Sequence, residues 1–509
     1  MDQVGNRMVV AALRFLALVG ELQRNRQGNV AIIFALAMMP IMAAAGIGVD
    51  LSRAYVVRAH LTQALDAAGL AVAGAPGASD EYLATLAQDF FNANYPTSEI
   101  GVPGELELNV EENVVTLSAA ATLPTALLGI FGIHEMDVAS AIEVTRENKA
   151  LEIVMVLDNT GSMGSNGKLG AMKEAATSLV NILYGDNPDP DKLHIGLVPF
   201  AAGVNVGTDF PTTALDMTGA SSIHDENFKF STDPNVNNLW DLYDQINNRS
   251  WEGCVQTRPE PLDELDTPPS AGTPDTLWVP WFAPDEADPS KYVNDYLDDA
   301  DPDQNDKNEQ RDISKYDGAT VYSSSRGPDA GCTMRPVTPM TNDKDLLIDN
   351  IDAMNASGVT HIPVGLSWGW RLISPEEPFA QGRQYDDQTV DKAIVLLTDG
   401  SNVLGTLNNR NRSRYTAYGY IRQGRLGTTN KSAAQARLDP KTADICENIK
   451  DEGVRLYTIT FQVSSSDTQE LMEECATSPA LYFDSPSNEQ LQTIFQAIAR
   501  DLSNLRLSR

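Results

Sequence analysis

The longest apolar run in the chain, NVAIIFALAMMPIMAAAGIGV, carries no charged residue from 30 to 49. Twenty uncharged residues on a helix reach across a bilayer core, and the single Pro40 is tolerable because the freed carbonyl is satisfied locally. We therefore expect residues 30–49 to be a transmembrane helix. The run is too long for the apolar part of a secretory signal, and the AGA near Gly74 lies too far beyond it for a cleavage site. The earlier stretch MVVAALRFLALVG is short and broken by Arg14, and reads as interfacial or as a dispensable start extension. From 50 to about 70 the spacing of Ala, Leu and Gln continues a helix out of the membrane. DEYLATLAQDFFNANY predicts a second helix, GELELNVEENVVTLSAAATLP a hairpin, and MDVASAIEVTRE a further strand. These make a small α+β module over 50–150, readable equally as a stalk that spaces the rest from the bilayer.

Beyond 150 the pattern changes to short, continuously apolar runs alternating with helical spacing. Strands are expected at 153–157, Leu193–Phe200, 393–397, 454–461 and 481–483, with helices at Lys168–Tyr184, 443–450 and the terminal SNEQLQTIFQAIARDLSNL. Apolar strands alternating with helices predict an α/β fold, a doubly wound and mostly parallel sheet. Its pattern is interrupted at about 203–355 by a stretch rich in Asp, Asn, Pro and Trp. Residues 251–310 hold 16 acidic and three basic side chains. A structureless loop of that length is uncommon in a compact domain. Trp240, Trp251, Trp278 and Trp281 predict that the insertion folds as a subdomain.

Charge and cysteine content narrow the function classes. The 509 residues include 70 acidic and 37 basic, a net charge of -33, with no basic stripe, which argues against nucleic acid. Arg7, Arg14, Arg24 and Arg26 precede the apolar run, and Arg53 and Arg58 follow it with Asp50 between, so residues 1–29 are expected in the cytoplasm and the bulk across the membrane. The four cysteines fall in two pairs without a CxxC motif. Outside the cytoplasm we expect Cys254 to pair with Cys332 and Cys446 with Cys475, among the three connectivities that four cysteines permit.

The candidate chemistry sits at strand ends. VMVLDNTGSM closes a strand with Asp158 and follows it with Thr160 and Ser162, whose oxygens can face one centre while Gly161 allows a tight turn. KAIVLLTDGSN ends another strand in Asp399, and Thr360 stands before the helix expected in SGVTHIPVGLSWGW. Carboxylates and hydroxyls from three segments suit a hard divalent cation, Mg2+ first, with Mn2+ or Ca2+ as substitutes. DPDQNDKNEQRD places Asp301, Asp303, Asn305 and Asp312 at calcium-loop spacing, but Asp306 takes the position where such a loop needs glycine, so a solvated acidic linker fits better. Enzyme readings find little: there is no HExxH and no paired general base, Ser162 has no His partner, His194 reads as structural, and GKLGAMKEA lacks the phosphate-loop pattern around Lys168. A metal-dependent hydrolase is the remote alternative.

At these residues the chain resembles the von Willebrand factor type A domain and its metal-ion-dependent adhesion site. Asp158, Thr160 and Ser162 match the DxSxS element, with Thr in place of the first Ser; Thr360 matches the distant Thr and Asp399 the final Asp. The resemblance covers 151–505 without the insertion and implies a cation that binds a partner's carboxylate. Together, GNVAIIFALAMMPIMAAAGIGVDLSRAY, WEGCVQTRP, APDEAD and IPVGLSWGWRLISPEEPF resemble TadG-like proteins of the tight-adherence machinery that assembles Flp pili, with a membrane helix similar to the TadE and TadF group. This implies a non-enzymatic, single-pass protein of the bacterial inner membrane facing the periplasm, with protein partners in pilus assembly or the envelope and neither nucleic acid nor a small-molecule substrate. Processed relatives carry Glu shortly after the cleavage Gly, whereas the fifth residue after Gly28 is Ile33, which argues against processing. The rival class is an envelope scaffold without a working metal site.

Overall fold

The computed structural model describes residues 26–75, 80–95, 100–111, 114–145, 149–185, 191–287, 292–298, 306–323 and 325–505. The chain forms two compact units divided between Asn148 and Lys149. In the first, helix α1 (Arg26–Ala73) is continuous through Pro40. Its two halves bury different things. From Val30 to Val49 nearly every large apolar side chain is exposed, Ile33, Phe34, Leu36 and Met39 among them. Beyond Asp50 the apolar stripe Val57, Leu61, Ala64, Leu65, Ala68 and Val72, at helical spacing, is wholly buried. Among the described residues one helix, this one, is long and apolar enough to cross a membrane.

That stripe packs on helix α2 (Asp80–Asn94) and on an antiparallel sheet of β1 (Val102–Pro103), β2 (Glu107–Glu111), β3 (Val114–Pro124) and β4 (Glu135–Thr145). β3 pairs with β2 at one end and β1 at the other, and with β4 along its whole length, from Val114↔Thr145 to Pro124↔Glu135. Alternate residues of β3, from Val115 to Leu123, face the helices.

The second unit is built on a six-stranded mixed sheet, mostly parallel. Its strands are β5 (Ala150–Asp158), β6 (Leu193–Phe200), β7 (Thr338–Thr341), β8 (Val390–Thr398), β9 (Arg455–Phe461) and β10 (Tyr482–Ser485), in the order β10-β9-β8-β5-β6-β7. All neighbours are parallel except β6 and β7. Because β5 is covered on both faces, it reads as an unbroken apolar run. Ile153, Met155 and Leu157 face α3 (Lys168–Tyr184), α4 (Lys344–Asp352) and α8 (Asn488–Leu505). Val154 and Val156 face α5 (Ile362–Ile373), with α6 (Leu438–Asp451) and α7 (Ser466–Cys475) closing the same layer. α5 lies close against the strands because a Cβ on Gly365 would stand 2.4 Å from Phe200, and one on Gly369 2.3 Å from Val156.

One boundary is corrected. The interruption expected over 203–355 takes in β7 and α4, which belong to the sheet and its helical layer. TPMT is too short and irregular to show strand alternation. Part of the remaining insertion packs around a core of Phe228, Leu242, Tyr243, Phe282 and Tyr316, while Val204, Phe210, Trp278 and Trp281 join the cluster that covers the sheet with α5. The insertion is fastened to α5 by two buried guanidiniums on one indole, Arg258 at 4.6 Å and Arg371 at 5.4 Å from the Trp278 ring centre. Arg258 donates to the carbonyls of Leu262, Leu265 and Thr267. Burial pushes its pKa down to about 8, with Arg371 adding repulsion. Disulfides join Cys254 to Cys332 and Cys446 to Cys475. The first clips the insertion, and the second ties α6 to the end of α7.

Candidate metal-binding site at the sheet rim

β5 and β8 are adjacent and parallel, so Asp158 at the end of one and Asp399 just past the other meet at the carboxyl rim, where open α/β sheets place ligands. The Asp158 carboxylate is buried and held on both oxygens. Oδ1 accepts Thr160 N–H at 2.8 Å, and Oδ2 accepts the Thr398 hydroxyl at 2.8 Å and Asp399 N–H at 3.4 Å. A run of hydroxyls links the acids. Thr160 Oγ1 lies 3.0 Å from Ser162 Oγ, and the Ser162 hydroxyl donates to Asp399 Oδ1 at 2.6 Å. Ser162 is exposed, so the cluster opens to solvent on that side.

Thr360 is brought in by its loop. Gly161 N–H donates to Gly358 O at 3.0 Å and Ser357 N–H to Asn159 O at 2.8 Å, lacing the segment before α5 to the turn after β5. Val403 N–H donates to Thr360 O at 2.8 Å, and the Asn402 side chain accepts Ile362 N–H at the start of α5. Thr360 itself is buried. Asp158, Thr160, Ser162 and Asp399 are thus directly linked, while Thr360 joins them through the backbone of its loop.

Sequence reasoning missed two members. Thr398 is the Thr of the TDG element, whose hydroxyl the strand's alternation did not single out. Lys168, at the start of α3, is buried, and its ammonium lies 2.9 Å from Asp399 Oδ2 and 5.9 Å from the Phe461 ring centre. Two carboxylates therefore face one ammonium, a local charge of about -1. Burial, then the Asp399 charge, pushes the Asp158 carboxyl up to about 6. A buried site short of one positive charge, lined by hard oxygens, has the chemistry a divalent cation requires. Among the described residues no group of three or more His, Cys, Asp or Glu is placed to hold a metal. The rim cluster has two carboxylates, and its other donors are hydroxyls.

The other candidates lie apart. Asp301, Asp303 and Asn305 fall outside the described residues, and Asp312 Oδ1 accepts the backbone N–H and hydroxyl of Ser314. His194 stands in β6 paired with Glu152, away from the rim.

Several known structures are similar to the chain at low identity. The pilus adhesin SpaC from Lactobacillus rhamnosus GG aligns at 13% identity and TM-score 0.32, over 80% of this chain and 35% of SpaC. The von Willebrand factor domain of the type V pili tip protein Mfa5 from Porphyromonas gingivalis aligns at 12% and 0.33, over 71% and 97%. Proximal thread matrix protein 1 from the mussel byssus, with a zinc-occupied MIDAS motif, aligns at 13% and 0.29, over 70% and 46%. The chain thus spans about a third of SpaC. No curated protein matches it. Residues 28–75 match the family described as "Putative Flp pilus-assembly TadE/G-like". That segment holds the apolar half of α1 and all of its buried stripe.

Proposed function

We propose that the chain is a membrane-anchored, non-enzymatic protein-binding component of Flp pilus assembly or adhesion whose second unit captures a partner through a divalent cation. The observation that carries this reading is the linked run Asp158, Thr160, Ser162 and Asp399 at the carboxyl rim, with Thr360 laced alongside. Asp158 and Asp399 would supply charge and Thr160, Ser162 and Thr360 neutral oxygens to Mg2+. A bound divalent ion turns the local charge from about -1 to about +1, which supplies attraction for a partner's carboxylate. The exposed side of Ser162 is the approach. Residues 30–49 of α1 hold the protein in the inner membrane, with residues 1–29 cytoplasmic and everything after Asp50 periplasmic. A reporter fused after Ala71 checks that orientation and would read cytoplasmic if it is reversed.

The second reading, an envelope scaffold without a working cation site, is favoured by Lys168, which already gives Asp399 a counter-charge. Piliation separates the two. Cells carrying Asp158→Ala should lose pilus assembly or partner capture while the protein remains folded in the membrane. Normal piliation with that variant discards the functional role of the site.

A further inference from the structure

Asp50 is the first charged residue after the apolar run and stands where α1 leaves the expected hydrocarbon layer. Its carboxylate is fully buried. Oδ1 accepts Ala126 N–H at 2.7 Å, and Oδ2 accepts Leu127 N–H at 3.0 Å and Leu128 N–H at 2.9 Å. Arg53 reinforces the joint, donating to Pro124 O at 3.1 Å with its guanidinium 3.6 Å from Asp50. One carboxylate thus clamps the β3–β4 loop to the helix at the membrane boundary, with charge-assisted bonds of the strong kind.

The loop reaches back along the apolar half of α1. Gly46 is buried, and a Cβ there would stand 3.1 Å from Leu127 Cβ. Gly46 precedes the last uncharged position, Val49, by three residues, roughly 5 Å of helix axis. Within the loop, the N–H groups of Ile130, Gly132 and Ile133 donate to the carbonyls of Leu127, Gly129 and Leu128, and the Thr125 hydroxyl to Ile133 O at 2.6 Å. Such internal pairing is what irregular backbone needs in order to approach hydrocarbon. No charged residue occurs from Val114 to Ile133. The tip presents Ile130, 70% exposed, with Phe131 and Ile133 each 49% exposed, and Ile47 and Val49 of the helix are exposed as well.

We infer that the β3–β4 loop is a second membrane anchor. Its tip, Ile130, Phe131 and Ile133, sits in the lipid at the headgroup and acyl-chain boundary of the leaflet where α1 emerges, and it fixes the tilt and rotation of the first unit on the bilayer. The occupant of this apolar surface is lipid because the loop that carries it packs on the apolar half of α1 at Gly46, roughly 5 Å inside the last uncharged position and so within the 5–10 Å depth that interfacial elements reach. The inference rests on the reading that residues 30–49 span the membrane.

The test uses the full chain in phosphatidylcholine vesicles. All four cysteines are paired in disulfides, so Ile130→Cys, Met39→Cys and Glu107→Cys each add a single thiol for an environment-sensitive fluorophore. Vesicles carry a doxyl quencher either near the headgroup or near the chain end. The probe at 130 should emit to the blue and lose most of its emission to the shallow quencher. The probe at 39 should be quenched by the deep one, and the probe at 107, on the exposed face of the sheet, by neither. Quenching at 39 without quenching at 130 overturns the loop anchor and leaves the span standing. Absence of quenching at both overturns the span and the anchor together. Blue emission at 130 that neither quencher touches means protein covers the tip, a second copy or a partner, and overturns the lipid assignment.

Discussion

Replacing Lys168 by Met keeps most of the buried stem and removes the charge that faces Asp399. At 2.9 Å the pair has a gross attraction of about 6 kcal/mol at an effective dielectric constant of 20. Much of this is offset by the cost of burying the ammonium, and removing one partner of a buried pair costs about 3–5 kcal/mol. The low end applies because Asp399 Oδ1 keeps the Ser162 hydroxyl and the rim is open beside it. Lys168→Met should therefore destabilise the second unit by about 3 kcal/mol without divalent cation. In Mg2+ the sign of the effect on binding reverses. The variant loses a cation that repels Mg2+ and competes for Asp399, so its affinity should rise by about tenfold, about 1.4 kcal/mol. Urea unfolding followed by tryptophan emission measures the first effect on the second unit alone, because all six tryptophans, Trp240 to Trp370, lie there. Calorimetry measures the second. An unchanged unfolding midpoint without cation, or weaker Mg2+ binding in the variant, would refute the reasoning.

The disulfides close loops of different size, 78 and 29 residues. From chain entropy, removing Cys254–Cys332 by a double Ser substitution should cost about 4.5 kcal/mol and removing Cys446–Cys475 about 3.6 kcal/mol, read as urea midpoints, with the larger loss at the larger loop. A pH test comes from the insertion, where burial pushes the Asp329 carboxyl up to about 7 against the hydrogen bond from Tyr243. A carboxyl raised above its unfolded value of 3.8 binds its proton more tightly when folded, so its contribution falls as pH rises from about 4 to about 7 and is level above that. Asp329→Asn should flatten this part of the melting-temperature profile and be the more stable protein at pH 8; a parallel profile for parent and variant contradicts the assignment.

The fold was legible where one residue's neighbours could be read from its own strand. Ile153 to Leu157 and Ala393 to Leu397 are unbroken apolar runs because the parallel sheet is covered on both faces, and an acid at the end of each run, Asp158 and Asp399, stands out for that reason. The stripe from Val57 to Val72 was legible from its helical spacing. What escaped depends on distant pairing. Lys168 meets Asp399 across 231 residues, and nothing in GKLGAMKEA says where the ammonium ends. β7 is four residues long and takes its identity from pairing with β6. The stretch after β8 is polar in composition, yet Tyr415, Tyr418 and Tyr420 are buried, with Tyr415 edge-on to Trp281 at 5.0 Å. It completes the wall around the insertion, which aromatic residues scattered among Arg and Asn do not announce. Asp50 looked like a boundary charge and proved to be the clamp of a loop 76 residues away.

Cation binding at the sheet rim through Asp158 and Asp399 is what the proposed function stands on. It is tested most directly by titrating Mg2+ calorimetrically into the detergent-solubilised chain and into Asp158→Ala, with unfolding midpoints showing that both are folded. Saturable, single-site heat is expected in the parent and its loss in Asp158→Ala, since Asp399, already paired with Lys168, and the hydroxyls of Thr160, Ser162 and Thr360 are poor competitors for water on so strongly hydrated an ion. Absence of Mg2+-dependent heat in the parent, or equal binding by the variant, would contradict it.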